Sequence, residues 1–145
     1  MKVPVLLPKI FNYPLTYDSI IFDLGGFKGD FASDLFSRIP CKIYIFEPVR
    51  DYSVIINERF KFNKNILVYS FGLSNKTEEK YITLDGPGSS IYSNSNNKNL
   101  NLPREKVSLV DIVEFIVSKK IKEIDLLKIN IEGGEYDVIP RLLDT

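Results

Sequence analysis

The stretch Ile20–Phe31, IIFDLGGFKGDF, decides the fold. An apolar run ends in one carboxylate, Asp23, and Gly25, Gly26 and Gly29 follow at once. Tyr17–Leu24, YDSIIFDL, is apolar without alternation, the mark of a strand buried on both faces. From Gly29 onward Phe31, Leu35, Phe36 and Ile39 recur at helical spacing, and Pro40 closes the pattern. A strand, a glycine-rich turn and a helix therefore open the domain.

Working outward, the same alternation continues. KIYIFE, Lys42–Glu47, reads as a second strand, and Pro48 starts a helix with Tyr52, Ile55, Ile56 and Phe60 on one face. NILVYSFGL, Asn65–Leu73, reads as a third strand. SNKTEEKYITL reads as a turn and a short strand. A long loop rich in Gly, Ser and Asn fills 85–106; loops of that length are usually functional or disordered. Helical order is expected to return at Ser108, as N-cap with Asp111 three residues on. Leu109, Ile112, Val113, Ile116 and Val117 then form the buried face. IDLLKINI, Ile124–Ile131, is the fourth strand, and EGGEYDVIPRLLDT begins a last helix in which Pro140 would cost about 3 kcal/mol outside the first turn or a kink. Strand alternating with helix predicts an α/β fold: a doubly wound, mostly parallel sheet with right-handed crossovers. The 145 residues are expected to form one domain, with 1–17 as an extended lead-in carrying Pro4, Pro8 and Pro14.

Composition narrows the function. The chain is 44% hydrophobic and 12% aromatic, so it is globular rather than disordered. Lys plus Arg and Asp plus Glu both number 19, which argues against a dedicated nucleic-acid surface. No apolar run reaches the roughly 18 residues of a membrane span. The N-terminus, broken by Pro4 and Pro8, is a poor signal peptide. Cys41 is the single cysteine, so no internal disulfide can form and a reducing, cytoplasmic setting is expected. Histidine is absent, which removes His general bases, His triads and His metal ligands together. The acidic residues show no ligand spacing, so no metal site is expected.

The glycine turn carries the chemistry. In doubly wound sheets ligands bind at the carboxyl ends of the strands. Glycines there let a ligand approach bare backbone, and the next helix presents free N–H groups. A dinucleotide would want G-x-G-x-x-G, but that register puts Leu24 at the first glycine position, and Asp23 would repel a pyrophosphate. S-adenosylmethionine, with a sulfonium and an ammonium, suits a carboxylate beside the glycines better. The same turn could also serve the backbone alone. Glu47 closes the second strand, where a carboxylate can accept both ribose hydroxyls of an adenosine.

At LLKINIEGGEYDVI, Leu126–Ile139, the chain strongly resembles the FkbM-type methyltransferases. DLGGFKGDF, IYIFEP, VYSFGLSN and the GSSIY of the long loop agree with that family in order, over about residues 18–143. The resemblance implies a Rossmann-like class I fold, S-adenosylmethionine as cofactor, and methyl transfer to a hydroxyl of a sugar, glycan or related natural product. It implies cofactor contacts from Asp23, Gly25, Gly26, Gly29 and Glu47, with Phe71 and Leu73 at the adenine; Phe71 could equally be core. The family pattern falls here on Lys128, Asn130, Glu132, Gly133 and Glu135. Many members carry Asp where this chain has Asn130; an amide can orient a substrate but cannot act as its base. Ser89 and Ser90 could line a substrate lid. The family fold continues for further strands, so the C-terminal strands are expected to be missing. The fourth strand would then be an exposed edge, an aggregation hazard unless an oligomer or partner covers it.

A hydroxyl nucleophile must lose a proton, and without histidine the base must be Glu, Asp, Lys or water. Glu132 and Glu135 sit at or near a helix N-terminus, which favours the ionised form. They are the candidate catalytic residues, with Asn130 orienting the acceptor. Lys128 interrupts an apolar strand, where an unpaired ammonium is expensive. It is either a substrate contact or half of an ion pair with Glu47 or Asp23. A non-catalytic cofactor- or partner-binding remnant is the competing reading of the whole chain.

Overall fold

The computed structural model describes residues 13–84, 103–131 and 134–144. Most of the loop predicted over 85–106, with Ser89 and Ser90, lies outside them, as do Glu132 and Gly133. In chain order the elements are β1 (Ile20–Leu24), α1 (Asp30–Arg38), β2 (Lys42–Phe46), α2 (Arg50–Phe60), β3 (Ile66–Tyr69), β4 (Gly72–Ser74), β5 (Glu78–Thr83), β6 (Arg104–Asp111), α3 (Ile112–Ser118), β7 (Leu126–Ile129) and α4 (Glu135–Leu143).

Four strands form one parallel sheet in the order β3-β2-β1-β7. Successive side chains of a strand point to opposite faces. Ile21, Ile43 and Ile45 accordingly pack with Ala32 and Leu35 of α1 and Ile56 of α2. Phe22, Leu24, Tyr44 and Phe46 pack with Ile112 and Phe115 of α3 and Val138 of α4. The central strands are buried on both sides, which is why β1 and β2 read as unbroken apolar runs. The α/β fold predicted from sequence is present, and its parallel sheet carries the glycine turn at the end of β1.

Three features differ from the sequence reading. The run Asn65–Leu73 is not one strand. β3 ends at Tyr69, and β4 joins a second sheet of order β4-β6-β5, pairing in parallel with β6 through Gly72 and Leu109. Every residue from Ile66 to Tyr69 is apolar, so no change of period marked the change of sheet. The helix expected from Ser108 starts later. Val107 and Leu109 are buried between exposed Lys106 and Ser108, a strand period, and β6 runs through Asp111. The N-cap is Asp111, whose Oδ1 accepts from the N–H groups of Val113 (2.8 Å) and Glu114 (3.1 Å). Its Oδ2 accepts from Arg141 Nε at 2.9 Å and so ties α3 to α4. Leu109 packs with Val49, Ile82 and Val107 in a separate cluster, and Val117 faces solvent. Finally, Ile55 of α2 is exposed, and Ser53 takes a buried place on that helix instead.

Pro140 sits inside α4, beyond its first turn, and on its exposed side. It has no N–H to donate to the Tyr136 carbonyl one turn back. No helix among the described residues is long and apolar enough to cross a membrane. Among the described residues no strand pairs with the outer edge of β7.

Candidate functional site

The carboxyl ends of β1, β2 and β7 converge on the turn Gly25–Gly29. Gly25 and Gly29 adopt positive φ, 79° and 82°. A Cβ on Gly25 would lie 2.2 Å from the Asn130 carbonyl oxygen, and one on Gly26 would lie 2.2 Å from Ile45 Cγ2. The bareness of the turn is therefore demanded by the neighbouring strands themselves. Its shape is held from three directions. Gly25 N–H donates to the Phe46 carbonyl at 2.9 Å, Phe27 N–H donates to Glu47 Oε2 at 2.8 Å, and Gly29 N–H donates to the Gly26 carbonyl at 2.8 Å.

Asp23 and Lys128 are direct partners across β1 and β7. Lys128 Nζ donates to Asp23 Oδ1 at 2.7 Å and to the Gly25 carbonyl at 2.9 Å. Lys128 makes the ion pair with Asp23, one of the two roles open to it from sequence. Asp23 is fully buried, and its Oδ2 has no hydrogen-bond partner. Glu47, also buried, accepts from Phe27 N–H and, through Oε1, from Val49 N–H at 2.9 Å. Each of its oxygens keeps a further lone pair.

Burial raises both carboxyls. For Asp23 the loss of solvent outweighs the attraction of, and hydrogen bond from, Lys128. For Glu47 burial outweighs the two backbone donors, and the Asp23 charge raises it further. A folded-state pKa above the unfolded value means stability that is complete below the ordinary carboxylate range, near about 4, and is lost as pH rises through the folded value. The thermal midpoint is therefore expected to fall as pH rises above that range. Asp23→Asn should flatten that slope. A midpoint that climbs over the same window would show that burial does not dominate at these two groups.

The other predicted site residues scatter. Asn130 is exposed at the tip of β7, its N–H donating to the Leu24 carbonyl at 2.9 Å, beside the turn. Glu135 is the first residue of α4 and half-buried. Leu73, expected at an adenine, lies instead in the core with 2% exposure. Phe71 is half-buried among Phe46, Tyr69 and Phe115, with ring centres 5.4 to 6.1 Å away. Both pack with Phe22, Leu24, Tyr44 and Phe46 against the parallel sheet. One residue of the turn escaped the sequence reading. Phe27 adopts φ 52°, rare for a bulky side chain, and its ring meets Tyr52 edge-on at 4.5 Å. A large aromatic residue between glycines was the available signal.

The family model for the FkbM methyltransferase domain matches residues 23–144. The chain belongs to the FkbM methyltransferase family. No curated protein and no solved structure matches it. The family match begins at Asp23 itself and takes in the whole site. A methyltransferase requires a methyl donor. This FkbM site suits a donor carrying hydrogen-bond donors or positive charge. The groups around its turn are the carboxylates of Asp23 and Glu47, the latter with spare acceptor capacity, while the Lys128 ammonium is already engaged by Asp23 and Gly25.

Proposed function

We propose that the chain is an S-adenosylmethionine-dependent O-methyltransferase of doubly wound class I type. Its acceptor would be a hydroxyl of a sugar, glycan or related natural product. The observation that carries this reading is the placement of two buried carboxylates, Asp23 and Glu47, on either side of a glycine turn. That arrangement repels a pyrophosphate and favours a cationic, hydroxyl-bearing donor.

The donor supplies a methyl group on a positively charged sulfur, displaced in line by the acceptor oxygen. The residues of the chain do the rest. Glu47 would accept the ribose hydroxyls on the lone pairs its backbone partners leave free. The Gly25–Gly29 turn would receive the amino-acid end, under the field of the Asp23 carboxylate. Asn130, exposed beside the turn, would orient the acceptor hydroxyl, and Glu132 or Glu135 would take its proton. Alignment is the larger contribution, worth roughly 7–11 kcal/mol in well-oriented reactions. Calorimetric titration with S-adenosylmethionine, with NADH as control, tests the reading. Micromolar binding of the first alone is expected, and binding of NADH alone would overturn it. Glu132→Gln should then abolish turnover with donor affinity intact.

One observation favours a second reading, a non-catalytic cofactor- or partner-binding domain. β7 leads into the acceptor-side residues, yet among the described residues it is paired on one side only. Donor binding without turnover on any hydroxyl acceptor would select it.

A further inference from the structure

Lys128 is the one charged residue within β7. Its Nζ lies 2.7 Å from Asp23 Oδ1, 2.9 Å from the Gly25 carbonyl oxygen and 5.5 Å from the centre of the Phe31 ring. These three partners belong to the end of β1, the glycine turn and the first turn of α1. Stability does not explain the arrangement. A buried ion pair can often be replaced by apolar side chains of similar volume without loss. An apolar pair could not hold the Gly25 carbonyl. Gly25 is fastened at both ends of its residue, its N–H by Phe46 and its carbonyl by Lys128. Two residues later Phe27, in a strained conformation, is fastened by Glu47. The turn is thus clamped from β7 on one side and β2 on the other, and Lys128 is the only side chain holding the β7 side among the hydrogen bonds described.

We propose that Lys128 is a positioning residue rather than a substrate contact: one ammonium clamps the Asp23 carboxylate and the Gly25 carbonyl together and holds the glycine turn in the shape that receives the methyl donor. This rests on the donor reading above for what the turn receives, though not for the clamp itself. An apolar residue at 128 would orphan the buried Asp23 and could unfold the chain, so the informative comparison is between two other variants. Asp23→Asn keeps an acceptor for the Lys128 ammonium and so keeps the clamp. Adding Lys128→Met to it removes the clamp and orphans no carboxylate.

The experiment uses the full chain in both forms and reads amide hydrogen exchange, thermal midpoint and S-adenosylmethionine affinity. Relative to Asp23→Asn, the double variant should keep its midpoint within a few degrees. Its Gly25, Phe27 and Gly29 amides should exchange at least tenfold faster while those of β2 are unchanged, and the donor should bind at least tenfold more weakly. Equal exchange at the turn in the two variants would overturn the clamp. Faster exchange with equal donor affinity would overturn the positioning role. If the unaltered chain binds no S-adenosylmethionine, the donor reading fails, and the exchange rates still decide the clamp.

Discussion

Gly25→Ala is expected to cost about 2–5 kcal/mol and to lower the thermal midpoint sharply. Left-handed backbone costs a residue with a Cβ about 1–2 kcal/mol. Here the new methyl would also lie 2.2 Å from the Asn130 carbonyl oxygen and 2.9 Å from its carbon. That carbonyl cannot swing aside freely, because the Asn130 N–H is bonded to Leu24 and β7 is registered against β1. Forced overpacking adds about 1–3 kcal/mol, so the total consumes much of the 5–15 kcal/mol typical of a domain. Gly29→Ala is the control. It shares the positive φ, but its Cβ would meet the ring of Phe60 at 2.7 Å, a side chain able to shift. A loss of about 1–2 kcal/mol is expected there. Denaturant unfolding of the two variants measures the difference. If Gly25→Ala costs no more than Gly29→Ala, the close approach of β7 to the turn is not what demands glycine.

Glu47→Ala is expected to weaken donor binding about 100-fold or more and to destabilise the fold by about 3 kcal/mol. The carboxylate accepts from Phe27 N–H and Val49 N–H in a place from which water is excluded. Each donor left unpaired costs about 1–3 kcal/mol, less what entering water restores. Phe27 is the more consequential, since its φ of 52° is held against its own preference by that bond. The affinity loss follows from removing charge-assisted bonds to two hydroxyls, at about 1.5–3 kcal/mol each. Glu47→Gln separates the two effects. Its amide keeps one acceptor, enough for one of the two backbone N–H groups, so only part of the stability should return while donor affinity stays low. Calorimetric titration and thermal unfolding of both variants check this. Wild-type affinity in Glu47→Gln would remove the ribose role from this residue.

The order of elements was legible in the sequence because it rests on local patterns. An unbroken apolar run, a glycine cluster and a 3.6-residue period each announce themselves within about a dozen residues. β1, α1, β2 and α2 lie within a few residues of where those patterns put them, and Asp23, Gly25 and Glu47 stand at strand ends as their positions implied. The family resemblance rested on the same local runs. What failed was the assignment of neighbours. Ile66–Ser74 passes between two sheets with only Ser70 and Gly72 to mark the break, and Leu109 fits a helical face as well as a strand face. Phe71 and Leu73, which close that run, lie against and in the core.

The sequence by itself determined that a strand ends in a carboxylate and a glycine turn, that no histidine can serve as base, and that Lys128 interrupts an apolar strand. Only the tertiary structure decided what Lys128 does. Its partners Asp23 and Gly25 lie 105 and 103 residues away along the chain, and only the parallel pairing of β7 with β1 brings them within hydrogen-bond reach. The same holds for the bareness of Gly25, demanded by a carbonyl from that distant strand. Periodicity reports which way a side chain faces, but a hydrogen bond needs to know which strand lies beside it, and that is settled by packing of the whole sheet.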